Sequence, residues 1–198
     1  NVRKVSDRIA ILIDTKGPEV RLTSMNPAAG FDVKDGDTIC FQNAEDKESS
    51  REALYTNCRT FVQDVPVGAR ILIDDASIEM VVTEREGGKL KCRICNNGVI
   101  KGKKGINVPN VNISLPALTD KDRRFIRWAI EKDIDFIAHS FVRTKDDLSE
   151  IQQMLDDAGS HIKLISKIEN QQGIDNLDEI LHHSYGVMIA RGDLGVEI

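Results

Sequence analysis

The chain of 198 residues is poor in aromatics, with one Trp, two Tyr and six Phe, and it carries no excess of basic charge, its formal net charge being -5. Nucleic-acid binding draws on a basic surface with stacking aromatics, so that class is excluded. No apolar run approaches the ~18 residues of a membrane span. The opening Asn1-Val2-Arg3-Lys4-Val5-Ser6 lacks the apolar segment a secretory leader would place after its basic residues. Only four cysteines occur, Cys40, Cys58, Cys92 and Cys95, and their spacing gives no disulfide framework. Cys92 and Cys95 have C-x-x-C spacing but no second ligand pair for zinc, and on a strand they face opposite ways. A reduced, cytoplasmic setting is the expectation. No G-x-G-x-x-G follows a strand, which weakens a dinucleotide reading.

The apolar pattern changes character twice. Residues 9–13 (Ile-Ala-Ile-Leu-Ile) form a continuous run, the mark of a strand buried on both faces. Residues 22–115 carry short alternating runs and no sustained helical period, with Gly87-Gly88 placed as a hairpin turn, so a compact β domain is expected there. From residue 116 strands and helices alternate. Thr119 and Asp122 form a capping box ahead of Phe125, Ile126, Ala129 and Ile130. Residues 134–142 make a strand, and Thr144 with Asp147 begins a helix that Gly159 ends. Residues 163–168 and 186–190 make two further strands, separated by a helix carrying Ile174, Leu177, Ile180 and Leu181. Such a run of parallel βα units fits a doubly wound sheet or a (β/α)₈ barrel.

Polar residues gather at the carboxyl ends of these strands: Asp14-Thr15-Lys16, His139-Ser140, Lys167-Ile-Glu169-Asn170 and Arg191-Gly192-Asp193. Barrel enzymes build their sites there. Lys167 and Glu169, two apart on a strand, share a face. Carboxylates from neighbouring strand ends suit Mg²⁺, which keeps several waters or substrate oxygens. A lysine beside them suits an enolate or a transferring phosphoryl group. The same residues also admit a plainer reading, a buried ion pair of Lys167 with Glu169 or Asp193. Asp14 and Thr15 offer hard oxygens and Arg21 a phosphate fork, or else the segment is a polar turn. Lys101-Gly-Lys103-Lys104-Gly105 is either a phosphate loop or a solvated turn, and it lacks the Ser or Thr of a Walker A motif.

Several of these segments together resemble the pyruvate kinase family: Ile13-Asp-Thr-Lys-Gly-Pro-Glu-Val-Arg21, Lys103-Lys-Gly-Ile-Asn107, Leu115-Pro-Ala-Leu-Thr-Asp-Lys-Asp122, Ile165-Ser-Lys-Ile-Glu-Asn170 and Met188-Ile-Ala-Arg-Gly-Asp-Leu-Gly-Val-Glu197. The resemblance runs along the whole chain. It implies a partial (β/α)₈ TIM-type barrel with an inserted all-β lid: a barrel strand in 1–21, the lid in 22–115, and barrel βα units in 116–198. It implies transfer of a phosphoryl group from phosphoenolpyruvate to ADP, giving pyruvate and ATP in glycolysis. Lys167 and Arg21 would be catalytic; Lys167, Gly192, Asp193 and Ser140 would bind substrate; Arg21 and Lys104 would bind nucleotide. Glu169 and Asp193 would hold Mg²⁺, and Asp14 and Thr15 would hold K⁺. A homotetrameric parent is implied as well. Ala76 and Asn110 stand where that family usually has Gly. Four strands cannot close an eight-stranded barrel, so a piece of a longer protein, inactive alone and open to self-association through its strand edges, is the expectation. The competing readings are an Mg²⁺-dependent barrel lyase or aldolase, which would need no ADP, and a non-catalytic nucleotide-binding fragment.

Overall fold

The computed structural model describes residues 2–198. The chain divides into two compact units: residues up to Pro18 with Pro116–Gly195, and Glu19–Leu115 with Val196–Ile198.

The first unit opens with a short helix, α1 (Val2–Val5), and a strand, β1 (Leu12–Asp14). Arg3 secures this segment, donating to the Asp135 carboxylate at 2.7 Å and to the Asp133 carbonyl at 3.1 Å. The chain then builds the second unit from β2 (Val20–Arg21), β3 (Phe31–Val33), β4 (Thr38–Gln42), α2 (Phe61–Asp64), β5 (Arg70–Ile73), β6 (Ile78–Glu86), β7 (Lys89–Ile94), β8 (Gly98–Ile100) and β9 (Gly105–Asn107). Six of these strands form one antiparallel sheet in the order β2-β9-β5-β6-β7-β4, and β3 pairs with β8. Alternation along β7 buries Leu90, Cys92 and Ile94 on one face. They join Phe41, Phe61, Ile71, Met80 and Ile100 in the core of this unit. Gly87 and Gly88 turn β6 into β7 with φ of 57° and 73°, the paired positive values of the primed hairpin turn expected there. Burial pushes the Cys92 thiol up to about 12, with the Cys40 thiol adding to the effect. Cys92 is therefore a packing residue on the inner face while Cys95 is half exposed.

Between β5 and β6, Asp74, Asp75 and Ala76 take φ of 55°, 53° and 64° in succession. Left-handed backbone costs a residue with a Cβ about 1–2 kcal/mol. Asp side chains tolerate that region, whereas Ala has no compensating hydrogen bond. Ala76→Gly is therefore expected to stabilise this unit by about 0.5–1 kcal/mol, read as a higher urea midpoint at unchanged slope.

The chain returns to the first unit through α3 (Asp120–Glu131), β10 (Phe136–His139), α4 (Asp146–Asp157), β11 (Lys163–Ile168), α5 (Gln171–Asp175), α6 (Leu177–His182), β12 (Gly186–Ile189) and α7 (Arg191–Glu197). Its four strands are all parallel, in the order β1-β10-β11-β12. Each new strand joins beside its predecessor, and the order never reverses. A doubly wound sheet needs such a reversal, so this unit winds in one direction and all four strand carboxyl ends lie along one edge. Ile126, Ala129, Leu148, Ile151 and Leu155 of the helices pack with Ile137, Leu164 and Ile168 of the sheet.

The Thr119–Asp122 capping box forms, with both reciprocal bonds present. Gly159 closes α4 at φ 58°: its N–H reaches the Asp156 carbonyl at 3.0 Å and the Ser160 N–H reaches the Leu155 carbonyl at 2.9 Å, the two bonds of a Schellman ending. Four local expectations fail. β1 is shorter than 9–13 and lies at the sheet edge, leaving Leu12 43% exposed. Thr144 does not cap α4, which starts at Asp146, because the Asp147 carboxylate is taken by the Arg143 backbone N–H at 2.8 Å and by its guanidinium at 2.8 Å. The helix expected across 174–181 breaks at Asn176, whose Nδ2 donates to the Arg143 carbonyl, and Leu181 faces outward. Phe125 is 46% exposed, carrying the Lys121 ammonium 5.5 Å from its ring centroid, instead of lying in the buried stripe.

Candidate active site

The carboxyl ends of β1, β10 and β11 bring Asp14, Thr15, Ser140, Lys167 and Glu169 together. Lys167 lies on β11 beside β10, and its Nζ is 2.9 Å from Glu169 Oε1, donates to Ser140 Oγ at 3.0 Å, and reaches Asp14 at 3.4 Å. Dehydration works against the Lys167 charge, but the Glu169 and Asp14 carboxylates outweigh it and the ammonium is held more firmly than in water. The buried ion pair open at the sequence level is thus present, between Lys167 and Glu169.

Glu169 is fully buried. Its Oε2 accepts the Phe141 backbone N–H at 2.7 Å. Its Oε1 sits at ion-pair distance from Lys167 but outside hydrogen-bond alignment, so a buried carboxylate oxygen keeps a lone pair unused. Burial raises the Glu169 pKa; Lys167 and Phe141 lower it, and Asp193 pushes it up again. Asp193 sits in the first turn of α7, and its negative charge adds to the upward push on the Glu169 carboxyl. Hard oxygens with an unfilled lone pair and mutual repulsion fit a divalent cation. Among the described residues no group of three or more His, Cys, Asp or Glu side chains converges on a metal position. A cation held here would complete its shell from water or substrate, as Mg²⁺ does. Nothing lies within 4 Å of where a Gly192 Cβ would stand, so the backbone there is open to an approaching group.

Phe141 takes φ 55°, a left-handed conformation unusual for a bulky residue. That conformation aims its N–H at Glu169. Glycines permit the close packing around it: a Cβ on Gly17 would stand 2.3 Å from the Ser140 carbonyl oxygen, and one on Gly173 would stand 2.5 Å from that of Val142. Ser140 Oγ donates to the Thr15 carbonyl at 2.8 Å. Thr15 Oγ1 is engaged by the Ser140 N–H at 3.3 Å and by His139 Nδ1 at 2.8 Å. The oxygen that Thr15 can offer a cation is therefore its carbonyl rather than its hydroxyl. The Asp122 carboxylate, besides capping α3, accepts the Lys16 N–H at 2.9 Å and fixes the chain just past Thr15.

Arg21 and Lys104 lie in the other unit, on the paired β2 and β9 and the residue before β9. Arg21 is bonded to Glu19 at 2.7 Å and to the Lys103 carbonyl at 2.9 Å, and Lys104 pairs with Asp74 at 3.0 Å. Both cations thus have a carboxylate partner within their own unit. One contributor escaped the sequence reading, and another was placed at a strand end there without a role. The Phe141 N–H left no trace in residue type. His139 left one signal, a polar ring inside an otherwise apolar strand.

The family model described as the pyruvate kinase barrel domain matches residues 1–198. The chain belongs to the pyruvate kinase family. It is 48% identical over 200 residues to the pyruvate kinase of Borreliella burgdorferi, covering 100% of this chain and 41% of that protein. The pyruvate kinase of Geobacillus stearothermophilus is 42% identical over 205 residues, with 35% of its length covered. A crystal structure of a pyruvate kinase from Cryptosporidium parvum superposes with a TM-score of 0.91 at 32% identity, covering 100% of this chain and 41% of that one. The chain thus spans 41% and 35% of the length of these two curated relatives.

Proposed function

We propose that this chain is the central part of a pyruvate kinase that transfers a phosphoryl group from phosphoenolpyruvate to ADP. The observation that carries the reading is the Lys167 ammonium held between Glu169, Ser140 and Asp14 at three neighbouring strand ends. In this reading the parallel unit is part of a (β/α)₈ TIM-type barrel, and the antiparallel unit is a lid inserted into it. Glu169 and Asp193 hold Mg²⁺, and Asp14 with the Thr15 carbonyl holds K⁺. Bound Mg²⁺ supplies charge neutralisation across the transferring phosphoryl group and the enolate.

The chain's own residues do the rest. Lys167 places a fixed positive charge beside the negative charge that builds up in transfer, in a site already dehydrated, where such a charge counts most. Ser140 and Asp14 keep that ammonium from swinging toward solvent. The open backbone at Gly192 and Asp193 receives the substrate carboxylate. Arg21 and Lys104 exchange Glu19 and Asp74 for the phosphates of the nucleotide, and a lid carrying them excludes water. A glycolytic, cytoplasmic homotetramer is the setting proposed for the full-length enzyme, and no helix among the described residues is long and apolar enough to cross a membrane.

The test is pyruvate release from phosphoenolpyruvate by the full-length enzyme with Mg²⁺ and K⁺, with and without ADP. Release that requires ADP is expected. Release that ignores ADP would place a barrel lyase first. The 198-residue chain alone is expected to turn over little or not at all.

A further inference from the structure

His139 closes β10, is fully buried, and shares that strand's face with Ile137, which packs against the helices. It therefore reaches the site from behind and touches no substrate. Its Nδ1 lies 2.8 Å from Thr15 Oγ1, while its Nε2 is buried with no partner. An unpaired buried N–H is rarer and more costly than an unpaired buried acceptor. A proton on Nδ1 makes the neutral ring the donor to Thr15 Oγ1 and leaves an acceptor, not an N–H, unpaired at Nε2.

Thr15 Oγ1 then accepts twice, from His139 and from the Ser140 N–H. With the Thr15 side chain pinned, the residue's carbonyl is fixed as acceptor for Ser140 Oγ. The single Ser140 hydroxyl proton has the Thr15 carbonyl at 2.8 Å as its nearer acceptor and Asp14 Oδ1 at 3.3 Å as its farther one, so a lone pair of Ser140 Oγ faces Lys167 Nζ at 3.0 Å. The chain of contacts runs from His139 through Thr15 and Ser140 to Lys167.

We propose that His139 is a positioning residue that, through the Thr15–Ser140 pair, sets the direction of the Lys167 ammonium and the presentation of the Thr15 carbonyl. The proposal rests on the phosphoryl-transfer reading of the site. Apolar replacement of His139 frees the Thr15 hydroxyl to rotate and releases the orientation of Ser140. Groups that orient a reacting group from one contact away are worth about 10–100-fold. Asn supplies an amide N–H near the position of Nδ1, and Ala supplies none.

The experiment uses the full-length enzyme, wild type against His139→Ala and His139→Asn, with kcat and KM for each substrate and the K⁺ concentration for half-activity. His139→Ala is expected to lower kcat about tenfold or more and to raise the K⁺ requirement, with KM for ADP within about twofold. His139→Asn is expected to recover most of the loss. Equal defects in Ala and Asn, or none in Ala, would overturn the proposal. A second readout does not depend on turnover: ¹⁵N-histidine NMR of the same protein, with the His139 signals assigned by their loss in His139→Asn. A neutral ring protonated at Nδ1, whose N–H signal shifts in Thr15→Val, supports the geometry. Protonation at Nε2 would overturn it. An enzyme without ADP-dependent turnover but with the Nδ1 tautomer would retire the function and leave the His139–Thr15 contact standing.

Discussion

Replacing Lys167 with Met in the full-length enzyme is expected to lower kcat by about a thousandfold, the usual loss when one preorganised charge-stabilising donor is removed. Binding of ADP, assigned to the other unit, should change little. The same substitution has a second consequence that chemistry alone would not produce. Lys167 is the nearest cation to Glu169, which is fully buried and whose pKa burial already raises, with Asp193 adding to the push. Without the ammonium, that pKa rises further. A group whose folded pKa lies above its unfolded value supports the fold fully below the unfolded pKa, and that support is lost as pH rises through the folded pKa. Lys167→Met should therefore melt well below the wild type at neutral pH, by about 3 kcal/mol of stability, as for a broken buried pair. The deficit should shrink on acidification toward pH 4 and also on adding Mg²⁺. Melting curves across that range decide the matter: a deficit independent of pH would mean that Glu169 is not left as an uncompensated charge.

Glu169→Gln is expected to act in the reverse sense on the fold. Gln keeps the shape and can still accept the Phe141 N–H through its amide oxygen, but it is a poor ligand for a hard cation. The Mg²⁺ concentration for half-activity should rise by about a hundredfold or more, in line with loss of a ligand rather than of a neighbouring group. Mn²⁺ binding followed by electron paramagnetic resonance gives the same comparison without turnover. Metal-free stability at neutral pH should hold, because the dehydration cost of a buried charge is removed and Lys167 retains Ser140 and Asp14. Wild-type-like Mg²⁺ dependence in Glu169→Gln would remove Glu169 from the metal site.

The parts of the architecture legible in the sequence are those with a strict local code. Residues 163–168 (Lys-Leu-Ile-Ser-Lys-Ile) are the strand expected, with Leu164, Ser166 and Ile168 buried in alternation along it. The capping box at Thr119, the Gly87-Gly88 turn and the Gly159 stop each depend on one residue type that suits one backbone conformation. Thr144 failed as a cap because Asp147 could serve either the helix start or Arg143, and the charge-assisted bond won. Lys167 and Glu169 were legible as neighbours from their spacing of two. The Phe141 N–H was not, because a left-handed Phe goes against its own preference and its neighbours Ser140 and Val142 are packed against Gly17 and Gly173, far off in sequence. Nor was the path from His139 to Lys167, whose steps to and from Thr15 span 124 and 125 residues of sequence.

All four cysteines of the sequence fall between Glu19 and Leu115, inside the antiparallel unit, and the parallel unit has none. Cys40 and Cys95 are half exposed, whereas Cys58 and Cys92 are buried. Buried on β7 between β4 and β6, with its thiol pushed up to about 12 by that burial, Cys92 presents almost no thiolate at neutral pH while the strands stay together. The chain thus carries an opening gauge for one of its units. Alkylation of Cys92 reports the parting of the central antiparallel strands, and with no cysteine in the parallel unit the signal belongs to the antiparallel unit alone.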